Sequence, residues 1–503
     1  MSVATRLPAT RRRPVRRRSP DRSVRVSPAG RALVIALVLG VSVVFGMLAA
    51  ELDSMLLPAA ALMIAAVVLA VQAPRAVLLT TLLGLPFIGL LRRATGSYTL
   101  RVDPLALAGP GLAILCVLIL SFRNPPSRRS PLTVAVSAMV ALGVLQALNP
   151  AQGSLLAGVL GAGLFVGPLV WYYAGQRIGD PATLAFVVRA LKVVVAVAAA
   201  YGVKQIIFGF TGFEEAWIAT HRASYAALEI AGNTRPFSTF ASGVEYSYFL
   251  ALGAVLLAIG AGRERRVTRS FAVAGLLLAC FYAGSRTVVV TAVLSVVIVV
   301  LVQQTRSLGR AIVLCGALGL LCLGLLRLVP LATEQGAAGA IQNRTLTGLV
   351  HPFDRNASTL GLHLDSFGRG VVAGLRTPLG RGAASVNLAG SKLGHQVVSA
   401  EHDVPNVLLA YGWAGGIILA VLVLNVYRVL GSSVRNRRRH LLGPGVFVLF
   451  TFGVWFSGEL YAASALIWFF LGSIDRLNSG ADVSAAGGGA SGALPIGAVV
   501  LPA

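Results

Sequence analysis

Three ionisable side chains stand at the starts of long apolar runs. Arg235 lies in "GNTRPFSTFASGVEYSYFLAL", Arg286 in "FYAGSRTVVVTAV" and His402 in "AEHDVPNVLLAYGWAGG". A guanidinium keeps its charge and offers a planar fork of donors that matches phosphate oxygens. An imidazole titrates near neutrality and can take a proton from an incoming hydroxyl, or orient it. Two such cations and a base describe attack by a hydroxyl on a sugar carbon, with a lipid-held pyrophosphate leaving. That scheme asks for no cofactor. Taken singly, each residue has a plainer explanation, because an Arg at a helix end is commonly a snorkelling anchor. Spacing along the chain does not by itself bring the three together. Other charges in the same regions, namely Arg344, Arg355, Arg369, Arg376, Arg381, His351 and His395, read equally well as solvated loop surface.

The elements that must position these residues are membrane helices. The 503-residue chain is 56% hydrophobic and 12% charged, with mean hydropathy +0.80. That is too little charge to cover a soluble protein of this length. Apolar runs long enough to span begin near Arg31, Ser54, Ala76, Pro104, Pro131, Ser154, Ala182, Val244, Ser270, Thr287, Ala311, Val404, Leu442 and Leu460. The expectation is an all-α, polytopic bundle of about twelve to fourteen transmembrane helices. The net charge of +25 could point to nucleic acid, but the arginines sit in short loops between apolar runs and in the N-terminal tail. With a cytosolic N-terminus, "RNPPSRR", "GRERRVTR", "TRSLGR" and "VRNRRRH" all fall inside, as the positive-inside rule requires, and "NPAQG" falls outside. The basic "RRATGSYTLRVD" is the exception, placed outside.

Residues 1–30 read as a disordered, basic cytosolic tail that can touch anionic headgroups, 31–475 as the membrane domain, and 476–503 as a flexible cytosolic tail. Two loops exceed mere connections: Gly209 to Gly243, and a large external loop between Pro330 and Asp403. Gly412 and Gly415, after His402, are expected to let their helix pack closely on a neighbour. Cys116, Cys280, Cys315 and Cys322 all fall inside apolar runs and read as small core residues, with no metal spacing.

Four segments in order resemble the bacterial O-antigen ligase and O-antigen polymerase superfamily, membrane glycosyltransferases of the GT-C type. They are "RPFSTF" (235–240), "GSRT" with Arg286, "LRTPLGRGAASV" late in the large loop, and His402 followed by Gly412 and Gly415. The resemblance covers roughly Gly209 to Leu471. It implies that Arg235 and Arg286 bind the pyrophosphate of an undecaprenyl-pyrophosphate-linked oligosaccharide donor, and that His402 activates or positions the hydroxyl of a glycan acceptor. It implies metal-independent, inverting transfer at the external face of the cell membrane, in exopolysaccharide, capsule or O-antigen biosynthesis. Membrane lipid and other polysaccharide assembly proteins are the implied partners, and nucleic acid is not. The chain departs from the family's pattern at Asp403, where many members carry Asn. Glu245 lies in "ASGVEYS", where many carry Pro-Asn, and His363 stands where an Arg often opens the loop's last helix. These three residues are candidate accessory groups.

Polymerase and ligase share these motifs. The Ala-, Gly-, Val- and Arg-rich composition fits a GC-rich genome and an envelope without lipopolysaccharide, which favours polymerisation of exopolysaccharide or capsule. Two other functions compete. A multi-pass transporter or lipid-linked saccharide flippase would place charges or broken helices near the midplane, often in paired halves, and no internal repeat is visible. A metal-dependent transferase would use acids in the first external loop, here Glu51 and Asp53, which otherwise read as a solvated turn.

Overall fold

A computed structural model describes residues 56–99, 103–123, 130–221, 229–230, 233–260, 266–305, 307–326, 336–355, 358–393, 397–398, 402–435, 456 and 461–486. The chain is an all-α, polytopic membrane helix bundle. Its helices are α1 (Leu56–Gln72), α2 (Pro74–Gly84), α3 (Ile88–Thr95), α4 (Pro104–Arg123), α5 (Pro131–Gln146), α6 (Leu155–Ile178), α7 (Pro181–Phe208), α8 (Gly212–His221), α9 (Gly243–Ala258), α10 (Arg266–Tyr282), α11 (Arg286–Thr305), α12 (Leu308–Leu326), α13 (Gly336–Val350), α14 (Leu360–Leu375), α15 (Leu388–Lys392), α16 (Asp403–Arg435) and α17 (Tyr461–Ala486). Between α8 and α9, β1 (Glu229–Ile230) and β2 (Asn233–Thr234) pair antiparallel, Glu229 opposite Thr234.

Among the described residues, six helical stretches are long and apolar enough to cross a membrane: Pro74–Thr95, Leu105–Arg123, Leu155–Ile178, Pro181–Phe208, Arg286–Thr305 and Asp403–Ser432. Shorter apolar helices join them, including α5 and α9. Twelve of the expected runs coincide with helices; those beginning near Arg31 and Leu442 lie outside the described residues. So does the N-terminal tail.

Helix starts follow local chemistry. Ser130, Ser154, Asp180 and Ser242 are N-caps whose side chains accept from Thr133, Ala157, Thr183 and Glu245 N–H, and Pro131 and Pro181 follow two of them. In a bilayer, helices associate through close packing more than through a hydrophobic drive. The central pair α6 and α17 shows this. A Cβ on Gly175 would overlap the carbonyl of Phe469, and one on Gly472 would overlap that of Tyr172. Around the pair, Trp171, Tyr172, Trp468, Phe469 and Phe470 are fully buried.

The described parts of both long loops carry secondary structure. The segment after Gly209 folds into α8 and the hairpin, and the segment after Pro330 carries α13, α14 and α15. Of the flexible tail expected over 476–503, the first part is helical, since α17 continues to Ala486, and residues 487–503 lie outside the described residues. Polar side chains anchor that stretch. Asp475 accepts from Ser130 Oγ and Tyr172 OH at 2.6 Å each, and Asn478 donates to Val429 O at 3.2 Å.

Candidate functional site

Arg235 leaves the hairpin into a clamped segment. Gln205 Oε1 accepts from Phe237 N (3.0 Å) and Ser238 N (2.7 Å), while Gln205 Nε2 donates to Glu214 Oε1 (2.6 Å). Ser238 holds a left-handed backbone (φ 52°), and its hydroxyl donates to Ala198 O. Arg93 on α3 completes the clamp. Its Nη1 donates to Phe240 O and its Nη2 to Ser238 O, with the guanidinium stacked 4.5 Å over the Phe237 ring. Leu90 N donates to Thr239 O, and Gly89 presses against Phe240, where a Cβ would overlap its carbonyl carbon.

In the awkward basic loop "RRATGSYTLRVD", Arg93 is 3% exposed and bonded to backbone carbonyls, and Arg92 pairs with Asp103; Arg101 lies outside the described residues. Arg93 was not legible as a site residue, because its partners are backbone oxygens about 145 residues away.

Arg235 shares its surroundings with Arg286 and Arg344. Burial pushes the pKa of Arg235 down to about 10, and the charges of Arg286 and Arg344 push it the same way. Its Nε is buried without a hydrogen-bond partner, and among the described residues no carboxylate pairs with it. Arg286 opens α11, and its guanidinium lies against Gly348 of α13, where a Cβ would overlap Nη1. Arg344 precedes Gly348 by one helical turn, so the two share a face of α13. The structure thus gathers two expected residues and adds Arg344, which is exposed as the sequence reading expected but whose charge opposes both. A buried guanidinium whose charged neighbours carry the same sign is suited to holding an anion.

His402 connects to this cluster through α14. Arg286 Nη2 donates to Thr359 Oγ1 (3.1 Å), and Thr359 Oγ1 lies 3.2 Å from His363 Nε2. An arginine only donates, so Thr359 accepts there and keeps its own hydrogen for the imidazole. The rings of His363 and His402 have centroids 6.4 Å apart, and Phe367 packs its ring 5.7 Å from His402. His363 and Phe367 lie four residues apart, on one face of α14. That face meets α16 closely, a Cβ on Gly374 falling 2.5 Å from Leu408 Cβ.

The other two candidate accessory residues accept hydrogen bonds from backbone N–H groups. Glu245 is buried in the first turn of α9 and accepts from Ala462 N (2.9 Å) and Ala241 N (3.4 Å). Asp403 accepts from Phe456 N (3.2 Å). Both carboxylates therefore fix the chain that leads into α17.

Gly412 breaks α16. Its backbone (φ 65°, ψ −155°) is non-helical, and a Cβ would overlap Pro378 O. The break frees carbonyls that "PLGRG" satisfies: Arg381 N donates to Leu409 O and Gly382 N to Ala410 O, each at 2.8 Å, and Trp413 N donates to Pro378 O. Gly412 thus accommodates a loop in place of the neighbouring helix expected there, and Gly415 faces Tyr411 of its own helix across the kink. His402 stands on the short lead-in before this break.

Of the remaining charges, Arg355 pairs at 4.0 Å with Asp365 on the surface, His351 is exposed, and Arg369, Arg376 and Arg381 line a separate groove. His395, Glu51 and Asp53 lie outside the described residues. Among the described residues no group of three His, Cys, Asp or Glu is placed to hold a metal ion. No protein-family model matches the chain, and no curated protein matches it.

Proposed function

We propose that this chain is a membrane glycosyltransferase, which moves a glycan from an undecaprenyl-pyrophosphate-linked donor to a sugar hydroxyl during assembly of a cell-surface polysaccharide. The observation that carries this reading is the cluster of Arg235, Arg286 and Arg344, joined through Thr359 and His363 to the neighbourhood of His402. Guanidinium groups at a membrane surface can grip a pyrophosphate while its polyprenyl tail stays in the bilayer. The acceptor O–H gives its proton to a His402 ring nitrogen. The acceptor oxygen bonds to the anomeric carbon as the bond from that carbon to the phosphate oxygen breaks. Lipid pyrophosphate leaves with one more negative charge, which the arginines stabilise. Attack opposite the leaving group inverts the anomeric centre.

Orientation follows the positive-inside rule. Arg75, Arg177 and Arg476 gather around the turn between α6 and α7, at the end of α6 away from the site. That end faces the cytoplasm in this reading and the site faces outside. A transporter would draw on ionisable groups near the bilayer midplane, whereas Arg286 and His402 sit at helix starts and Arg235 on the segment between a hairpin and a helix.

The deciding experiment removes the protein from its host and examines lipid-linked saccharides. Accumulated single repeats identify a polymerase and accumulated long chains a ligase. Unchanged lipid-linked saccharides would overturn the assignment.

A further inference from the structure

A second cationic feature lies on the side of α14 away from His363. Arg369 and Arg376 of α14, with Arg381 just beyond, line a groove of about 550 Å³ floored by Val372 and Ala373. Among the described residues, none of these guanidinium groups has a hydrogen-bond or ion-pair partner. Arg376 caps the C-terminal end of α14, where a cation offsets the helix dipole. Arg369 lies two turns earlier and Arg381 lies outside the helix, so the dipole accounts for neither.

The groove's position identifies its occupant. Helix α16 has 33 residues, about 50 Å, which is more than a bilayer core needs. The break at Gly412 divides it, and Trp413–Ser432 alone is long enough, at about 30 Å, to cross. Trp413, Ile417, Val421 and Leu424 form one exposed stripe along that portion, at 55%, 67%, 46% and 49% exposure. Trp413 heads the stripe, as tryptophans do at the bilayer boundary, and its indole N–H donates to Leu375 O beside Arg376. Leu379, 81% exposed, projects from the same turn. The stripe therefore runs directly up to the groove: an apolar track for acyl chains ends at three arginines.

We infer that this groove binds the phosphate headgroup of an anionic phospholipid whose acyl chains lie along the Trp413–Leu424 stripe. The site is separate from the Arg235 cluster and does not depend on glycosyl transfer. Each guanidinium near a phosphate contributes enough that a single Arg→Gln change weakens retention about fivefold.

The test uses the full chain in nanodiscs made from equal parts phosphatidylglycerol and phosphatidylcholine, released for native mass spectrometry. Wild type is expected to retain phosphatidylglycerol over phosphatidylcholine. The variant R369Q/R376Q/R381Q is expected to lose that preference, and the charge-matched R189Q/R310Q/R355Q, altered at exposed arginines elsewhere, to keep it. Equal retention of both lipids by wild type overturns the inference, as does equal loss in the two triple variants. A parallel arm adds undecaprenyl diphosphate. If the groove variant loses that lipid and keeps phosphatidylglycerol, the groove belongs to a lipid-linked saccharide instead.

Discussion

His402 and His363 face each other edge to face, ring centroids 6.4 Å apart, and His363 is tied back to Arg286 through Thr359. In the proposed reaction the two imidazoles divide the work: His402 takes the acceptor proton, while His363 holds the geometry between cations and base. His402→Ala is expected to lower turnover by about a thousandfold, the range of a lost general base, with the protein still inserted and abundant. His363→Ala should lower kcat by about tenfold and leave KM for the donor within about twofold. Both are read by turnover of lipid-linked saccharide in proteoliposomes. Normal polymer from the His402 variant sinks the catalytic assignment.

Arg344 tests whether the cation cluster serves a ligand. Its charge opposes those of Arg235 and Arg286, so it costs the empty protein stability. Arg344→Gln is expected to raise the melting temperature slightly while weakening binding of undecaprenyl diphosphate about tenfold, the worth of one charged hydrogen bond. An arginine kept only for packing would show a lower melting temperature and unchanged binding.

Arg93 acts through the segment it clamps. Lysine cannot supply two diverging donors and a flat face over Phe237 at once. Arg93→Lys should therefore raise KM for the lipid donor several-fold with kcat nearly preserved, because the change moves Arg235 and spares His402. Equal losses in kcat and KM across acceptors and donors would mean a general loss of fold.

Apolar run length and loop charge made the all-α bundle legible in the sequence, since a bilayer constrains spans so tightly. Arg235, Arg286 and His402 were legible as candidates because each stands at the entry to an apolar stretch. What stayed hidden depends on contacts between distant segments. Arg344 is exposed, and sequence alone could not show that α13 sets its charge against that of Arg286. Arg93 binds backbone carbonyls, which carry no sequence signal. Glu245 and Asp403 stood out as accessory candidates, and local sequence cannot show that they accept from the N–H groups of Ala462 and Phe456. Gly412 was visible as a glycine, but its role in a helix break required the pairing with "PLGRG".

Gly412→Ala should be among the most damaging small substitutions in the chain. It places a Cβ against Pro378 O and forces an L-residue into a positive-φ conformation. The expected result is a melting temperature lower by several degrees and loss of activity. Gly431→Ala, in the same helix with open space around it, is the control and should behave as wild type.

Gly348→Ala separates stability from function most sharply, because the two are expected to move in opposite directions. Gly348 sits inside α13, where alanine favours the helix by about 1 kcal/mol. The same Cβ overlaps Nη1 of Arg286, so the guanidinium must swing away from Arg344 and lose its bond to Thr359. The variant should therefore melt at or above the wild-type temperature and yet bind undecaprenyl diphosphate at least tenfold more weakly. Shortening the displaced side chain by Arg286→Lys in the Gly348→Ala background should recover part of the binding, since the smaller cation fits beside the new methyl group. Wild-type affinity in Gly348→Ala would show that the position of Arg286 against α13 is not what holds the anion.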